Sequence, residues 1–491
     1  MSLIAYLQRK RVPRSALALI DMEENCSITY GEFWSQIDKL ALGLNELGVR
    51  ANDRVALALP NGIAWVVSFL AILKNGAIVV PIHQRATAIE VKHLLRHCKP
   101  ALFVGDSSFI NKTLPFDLVS DRKQIVICSK RFMSRFSAQR ITVLDGLMER
   151  TNGRKQLAVL DDDLQVASIN YTYRGYGYPL GAMLSHRNYI HGIKGYIHSV
   201  GLHEGQLCLL ALPLSHIYAL IGSLLSPLAC GSSIIIVRNP TPQKIWLAIS
   251  RYRPNVLTGV PGLYSSLLRY RDEYQTDLSC LEDAICGGSL MPIPLYEEIQ
   301  DTWRISLRQG YGLTECLPVI INPSSVNRPE TLGKPGLGVS MKIFGQNDGE
   351  EAPVGKVGEI AIGGSTVMAG YYMMPKETAE VKKNGWFYTG DYGWLDAQGY
   401  LHFSGVKKRI AKVAGNTVDL TEVENELLAY PGVFSTDIYT LPDEKLGQVV
   451  CADVTCRSRS RVEKVTKDKI RQHLKKRLAS YKIPRIRVFT K

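Results

Sequence analysis

The chain has 491 residues, 46% of them apolar and 21% charged, which exceeds what one hydrophobic core sustains and excludes a disordered or fibrous protein. Its ten cysteines form no C-x-x-C pair, an argument against a disulfide framework or a zinc site and for a reducing, cytoplasmic setting. The net charge of +14 is concentrated in residues 457–491, where 14 Lys or Arg meet 2 acidic residues, a local excess of 12, so the rest of the chain is nearly neutral.

The start, MSLIAYLQRKRVPR, places apolar residues ahead of its charges, the reverse of a secretory signal. Short β-rich runs at 54–59, 77–81, 101–104, 124–128 and 233–237 alternate with helical patterns such as 63–74 and 88–97. That alternation predicts an α/β fold with parallel sheets covered by helices. The uncharged runs 55–73 and 217–237 carry Pro and Gly where they break a helix, so they read as buried core elements and no transmembrane segment is expected. Runs 357–362 and 400–403 alternate more cleanly, as strands of a smaller antiparallel region. A composition shift near 407–409 marks the best domain boundary. Residues 462–478 can be written as an amphipathic helix with Val462, Val465, Ile470 and Leu474 inward. Its basic surroundings fit a solvated helical face, or attraction of a polyanion: the phosphates of CoA, an acidic carrier protein, or a peripheral contact with an anionic membrane. Nucleic acid is not expected, because no aromatic interleaving or binding motif accompanies the charge.

The segments with most chemistry are 309–315 (QGYGLTE) and 385–391 (GWFYTGD), followed by 405–424 (GVKKRIAKVAGNTVDLTEVE). Glycines interrupted by single carboxylates and hydroxyls suit a site where backbone approaches a phosphorylated ligand and a few side chains fix its sugar and metal. In this order and spacing the segments resemble the adenylate-forming superfamily of acyl-CoA synthetases, luciferases and peptide-synthetase adenylation domains. The likeness runs from TYGEFW near Thr29 to YKIPR near Tyr481. GAMLSHRNY, PLSHIYAL, TGVPGLYSSLL and GYGLTEC read most like fatty acyl-CoA synthetases.

The resemblance implies a large, multi-subdomain N-terminal domain over 1–408 and a small mobile C-terminal α/β domain over 409–491, with the active site between them. It implies a ligase that uses ATP and Mg²⁺ to convert a carboxylic acid, a medium- or long-chain fatty acid, into acyl-AMP and passes the acyl group to a thiol, CoA. The alternatives are an aryl-acid (benzoate-like) CoA ligase, an acyl-carrier-protein ligase, and a degenerate partner protein that binds an acyl-adenylate without turnover. Carried over by motif, Glu315 holds the Mg²⁺ between the nucleotide phosphates, oxygen being what a hard cation takes. Thr314 contacts the α-phosphate, Tyr311 and Gly312 lie against the adenine, and Gly310 belongs to the same nucleotide site. Asp391 accepts both ribose hydroxyls, a task suited to two carboxylate oxygens. Gly287, Gly288, Ser289 and Leu290 form the tight segment between acyl pocket and adenine. His216 is the gate of the acyl site, with Tyr218, Gly259 and Gly262 as further walls. Val413, Ala414 and Gly415 line the pantetheine tunnel.

Three departures from the family pattern matter as much. The phosphate loop, normally Y-[ST]-S-G-T-T-G-x-P-K-G, reads YTYRGYGYPLG at 171–181: Thr172, Gly177, Pro179 and Gly181 survive, while the later hydroxyls and the lysine are lost and Arg174 is gained. A guanidinium suits phosphate well, so Arg174 is expected to compensate. The hinge R-x-K-D reads Val406, Lys407, Lys408, Arg409, which removes the ribose-contacting arginine and puts Arg409 at the hinge itself, with Lys408 kept beside the nucleotide. The family's adenylation lysine, in P-x-[ST]-x-x-G-K, falls beyond Lys491; either a further segment carries it or the protein lacks it.

Overall fold

The computed structural model describes residues 1–113, 125–127, 141–150, 162–274, 276–345, 349–406, 409–431, 433–456 and 466–490. Their strands form sheets of nine, eight, five and five strands. The expected runs fall on strands Arg54–Ala58, Ile78–Pro81, Leu102–Gly105 and Ile125–Ile127, which pair in parallel in the eight-stranded sheet. Ser233–Ile236 lies in the nine-stranded sheet between parallel neighbours. The α/β architecture is as expected, a large N-terminal domain and a smaller C-terminal one, with one amendment. Both large sheets finish in antiparallel strands, including Leu307–Leu313 against Leu317–Ile321 and Val166–Thr172 against Leu180–Ser185.

Local sequence explains where the helices start. Thr29 and Glu32 close a capping box on helix Tyr30–Glu46, and Thr87 and Glu90 close another on Ala88–Cys98, so the free N–H groups of each first turn are satisfied by side chains. Helix Ile63–Lys74 is apolar on nearly every side and is buried from Trp65 to Lys74, as a helix without a polar face must be. The Lys74 ammonium in that setting is paired with Asp38, because a buried charge without a partner is costly. The run 217–237 breaks into helix Ile217–Ala219, a wide π turn Leu220–Leu225, helix Ser226–Cys230 and strand Ser233–Ile236. Among the described residues no helix is long and apolar enough to cross a membrane.

One continuous core joins helices Tyr30–Glu46, Ile63–Lys74 and the 217–230 segment to strands of both large sheets, while Ala88–Cys98 packs its Val91, Leu94 and Leu95 into a smaller cluster with Phe103 and Phe109. The third sheet includes Gly358–Gly364, Trp386–Leu395 and Leu401–Val406, antiparallel as their cleaner alternation predicted. The C-terminal domain has a separate sheet and a separate core built on Val418, Val423, Leu427, Ala452, Ile470 and Leu474. Its basic helix runs over Lys467–Arg477 with Ile470 and Leu474 buried, while Val462 and Val465 lie outside the described residues, as do Lys408 and Lys491.

Candidate active site

Several elements deliver side chains to one cavity of about 710 Å³. Strand Asp283–Cys286 ends at Gly287 and Gly288, and strand Leu307–Leu313 with the turn after it supplies Gly310, Tyr311, Gly312, Thr314 and Glu315. Strand Trp386–Leu395 carries Asp391. The C-terminal domain closes the cavity with the hairpin of Ile410–Val413 and Asn416–Asp419, whose turn presents Ala414 and Gly415. Thr172 enters at the end of strand Val166–Thr172, and His216 and Tyr218 at the start of the helix after strand Leu207–Leu210.

Asp391 is buried, and one of its oxygens accepts from the Tyr311 hydroxyl at 2.7 Å. Burial pushes its carboxyl above the ordinary carboxylate range, while Tyr311, Lys412 and Arg174 pull the other way. The Tyr311 phenol is raised well above its ordinary value by burial and then by Asp391. The two residues therefore share a polar island in the cavity wall.

One oxygen of Glu315 is committed to protein partners. Its Oε1 accepts from Arg174 Nη1 at 2.9 Å and from the Tyr371 hydroxyl at 2.8 Å, with Glu315 only 2% and Arg174 only 5% exposed. Arg174 Nη2 donates to the carbonyls of Thr389 at 2.7 Å and Tyr388 at 3.1 Å, and its guanidinium lies 4.9 Å over the Phe387 ring. Arg174, expected to face the nucleotide phosphates, is instead turned into this pair, because an unpaired carboxylate at such depth would be strongly disfavoured. Two tyrosines brace the same loop: Tyr176, in place of a small residue, donates to Glu380 at 2.5 Å, and Tyr178, at the variable position of the pattern, donates to Glu377 at 2.8 Å. A divalent ion on Glu315 does not fit this arrangement, since a fixed guanidinium already neutralises it. Among the described residues no cluster of three metal-ligating side chains stands elsewhere.

Some sequence-predicted residues hold the domains together and do not line the cavity. The amide of Gly177 donates to Asp419 of the C-terminal domain at 3.0 Å. A Cβ on Gly262 would stand 2.5 Å from the Lys445 carbonyl oxygen, so this glycine permits a backbone contact between domains. Gly259 packs against the Tyr264 ring, Ser289 and Val413 are not among the lining residues, Val413 being buried in the C-terminal core, and Leu290 is half exposed. These positions correct the expected acyl-pocket set, to which Gly259, Gly262 and Leu290 do not contribute lining. Arg409 pairs with Glu424 inside the C-terminal domain.

His216 and Lys412 sit where the domains meet. His216 Nε2 is 3.2 Å from Asn416 Oδ1, and burial holds its imidazole below the ordinary value, hence neutral. Lys412, which motif reasoning passed over, lines the cavity and donates to Thr417 Oγ1 at 2.7 Å. Burial lowers its ammonium, with Asp391 and Glu315 opposing. Period-two alternation was the available signal: Ala411 and Val413 are buried in the domain core, so Ile410 and Lys412 share the opposite face. Lys482 was also missed. Its fully buried ammonium bonds Glu90 at 2.5 Å and Glu422 at 2.9 Å and lies 4.0 Å over the Tyr173 ring.

The family model described as AMP-binding enzyme matches residues 7–372, and the AMP-binding enzyme C-terminal domain matches 422–491. The chain belongs to the AMP-binding enzyme family, within the adenylate-forming superfamily. It is 31% identical over 467 residues to a feruloyl-CoA synthase of Amycolatopsis sp, covering 94% of this chain and 90% of that protein. It is 26% identical over 491 residues to a long-chain-fatty-acid–CoA ligase of Bacillus subtilis (strain 168), covering 94% and 87%. In fold it resembles the o-succinylbenzoate CoA synthetase of Bacillus subtilis with a TM-score of 0.85 at 23% identity, over 99% of this chain and 94% of that one.

Proposed function

We propose that this family member is an acid–CoA ligase: ATP activates an apolar carboxylic acid, and CoA takes the acyl group. The observation that carries the reading is the joining of two chemistries in one cavity at a seam closed by the C-terminal domain. Asp391, Tyr311 and Thr314 offer a polar wall for ribose and phosphate, and Leu212, Ile245, Leu263 and Leu267 an apolar one. The turn at Gly415 meets Gly288 between them, with the Gly415 carbonyl oxygen 3.8 Å from where a Gly288 Cβ would stand. Relatives named for feruloyl-CoA and long-chain acyl-CoA formation support the acid–thiol class.

In the first step a carboxylate oxygen attacks the α-phosphorus of ATP and pyrophosphate leaves, giving acyl-AMP. In the second a CoA thiolate attacks the acyl carbonyl carbon and AMP leaves. On this reading Asp391 holds the ribose hydroxyls, Thr314 donates to the α-phosphate, and neutral His216 stands between the acyl carbonyl and Asn416 of the closing domain. Lys412 places a cation on the phosphate side once the C-terminal domain is docked, where stabilisation of departing AMP is needed. No step is assigned to a metal on Glu315. The C-terminal domain is proposed to begin at residue 409 and to move as a unit about 407–409.

For the acid we favour an aliphatic chain, because the apolar wall is built of Leu and Ile. The feruloyl-CoA synthase likeness favours a second reading, an aryl acid, with the Tyr218 ring as its stacking partner. Pyrophosphate release and thioester formation across straight-chain acids and across benzoate and ferulate decide between them. Activity should climb with chain length, each buried methylene contributing about 0.8 kcal/mol, before a plateau. A flat profile with strong ferulate turnover overturns the aliphatic choice, and no thioester with any acid overturns the ligase.

A further inference from the structure

Mg²⁺ is what the superfamily pattern puts on Glu315, and the geometry around that carboxylate points elsewhere. We infer that Arg174 is the resident cation of Glu315, so that this chain receives a nucleoside phosphate with no divalent ion on that carboxylate. The inference rests on the nucleotide-site reading above. Its observations are independent of motif. The guanidinium contacts Glu315 Oε1 at 2.9 Å, and the Tyr371 hydroxyl occupies a second direction on the same oxygen at 2.8 Å. Two carbonyls hold Nη2, and the guanidinium lies over the Phe387 face. An arginine so held neither swings aside nor loses its proton, and burial does not neutralise it, because the adjacent carboxylate favours the charged form.

A divalent ion arriving at Glu315 would then face a fixed like charge in a setting of low dielectric, where such repulsion is poorly screened. The loop that carries Arg174 is tied down by the Tyr176 bond to Glu380, the Tyr178 bond to Glu377 and the Gly177 bond to Asp419. The exchange of small residues for Tyr, Arg and Tyr is thus one coherent change: the loop supplies a built-in positive charge and anchors it, where the superfamily pattern wraps phosphates with backbone and hydroxyls. The charge that approaches the phosphates from this side is therefore the near-neutral Arg174 and Glu315 pair.

Mn²⁺ serves as the probe, followed by electron paramagnetic resonance on the full chain without nucleotide. The wild type should take up no Mn²⁺ that Glu315→Gln lacks. Arg174→Ala should gain a site of one Mn²⁺ per chain, and the double variant with Glu315→Gln should lose it again. A wild-type Mn²⁺ site abolished by Glu315→Gln overturns the inference, as does a folded Arg174→Ala that takes up none. If Arg174→Ala does not fold, the wild type against Glu315→Gln decides alone. Calorimetric titration with ATP in excess EDTA separates this inference from the proposed function. Binding within about twofold of that in Mg²⁺ supports it, and a loss of tenfold or more with EDTA opposes it. Absence of ATP binding in both conditions sinks the ligase reading, while the Mn²⁺ result on free protein still decides the pairing.

Discussion

Asp391 and His186 show how burial sets the chemistry of single residues. Asp391 is proposed to take the ribose hydroxyls, and a hydrogen bond to a charged group is worth about 1.5–3 kcal/mol, so Asp391→Asn should raise the AMP dissociation constant by roughly ten- to a hundredfold. Tyr311→Phe should cost less, since it removes one neighbour of the carboxylate and not the acceptor. Equilibrium dialysis with AMP checks both, and unchanged affinity in Asp391→Asn removes the assignment. His186 is structural: its Nδ1 accepts from the Leu3 amide at 3.2 Å, and burial lowers its pKa from the ordinary 6.5 to about 4, with Asp162 and Asp163 opposing and the N-terminal ammonium assisting. The unfolded chain therefore binds the proton first. Stability that is full above pH 6.5 should be lost as pH falls toward 4, by about 2 kcal/mol from this residue at pH 5 relative to pH 8. Urea unfolding at the two pH values measures it, and His186→Gln should flatten that part of the slope.

At the scale of elements, the turn between strands Ile410–Val413 and Asn416–Asp419 is the sensitive part. Gly415 has φ +80°, and a Cβ there would stand 2.9 Å from Val260 Cγ1. A side chain at this position meets both backbone strain, about 1–2 kcal/mol, and a clash across the domain seam. Gly415→Leu should spare AMP binding, reduce thioester formation by a hundredfold or more by the loss of roughly 2.7 kcal/mol of transition-state stabilisation, and recover in part when Val260→Gly is added. Equal loss of acyl-AMP and thioester formation would show that the turn is needed for folding. The phosphate loop is the contrasting element, since its large residues each find partners of their own.

Across the whole molecule, the Lys482 cluster ties the domains. Its ammonium stays charged although burial opposes it, because Tyr173, Glu90 and Glu422 surround it. Removing one member of a buried ion pair costs about 3–5 kcal/mol, so Lys482→Met should release the C-terminal domain to limited proteolysis and lower the unfolding midpoint. Glu90→Gln combined with Lys482→Met should cost less than the two separate losses together, because the residues are coupled across the interface. Strict additivity would show that the domains are held by other contacts.

Sequence alone determined the α/β class, the strands of the parallel sheets, the buried character of residues 217–237 and the superfamily, because each is written in local periodicity or in contiguous motifs. The neighbourhood of Asp391, Thr314 and Glu315 was legible for the same reason. What only the tertiary structure decided is pairing across long separations. Arg174 and Glu315 lie 141 residues apart, and Lys482 and Glu90 392; no spacing rule announces such contacts. Gly262 and Gly177 were legible as glycines, but their role at the domain seam depends on the Lys445 carbonyl and the Asp419 carboxylate that the fold brings to them. Motif likeness placed Arg174 beside the phosphates, whereas the fold brought it against a buried carboxylate, and the cost of leaving that charge unpaired decided where its guanidinium points.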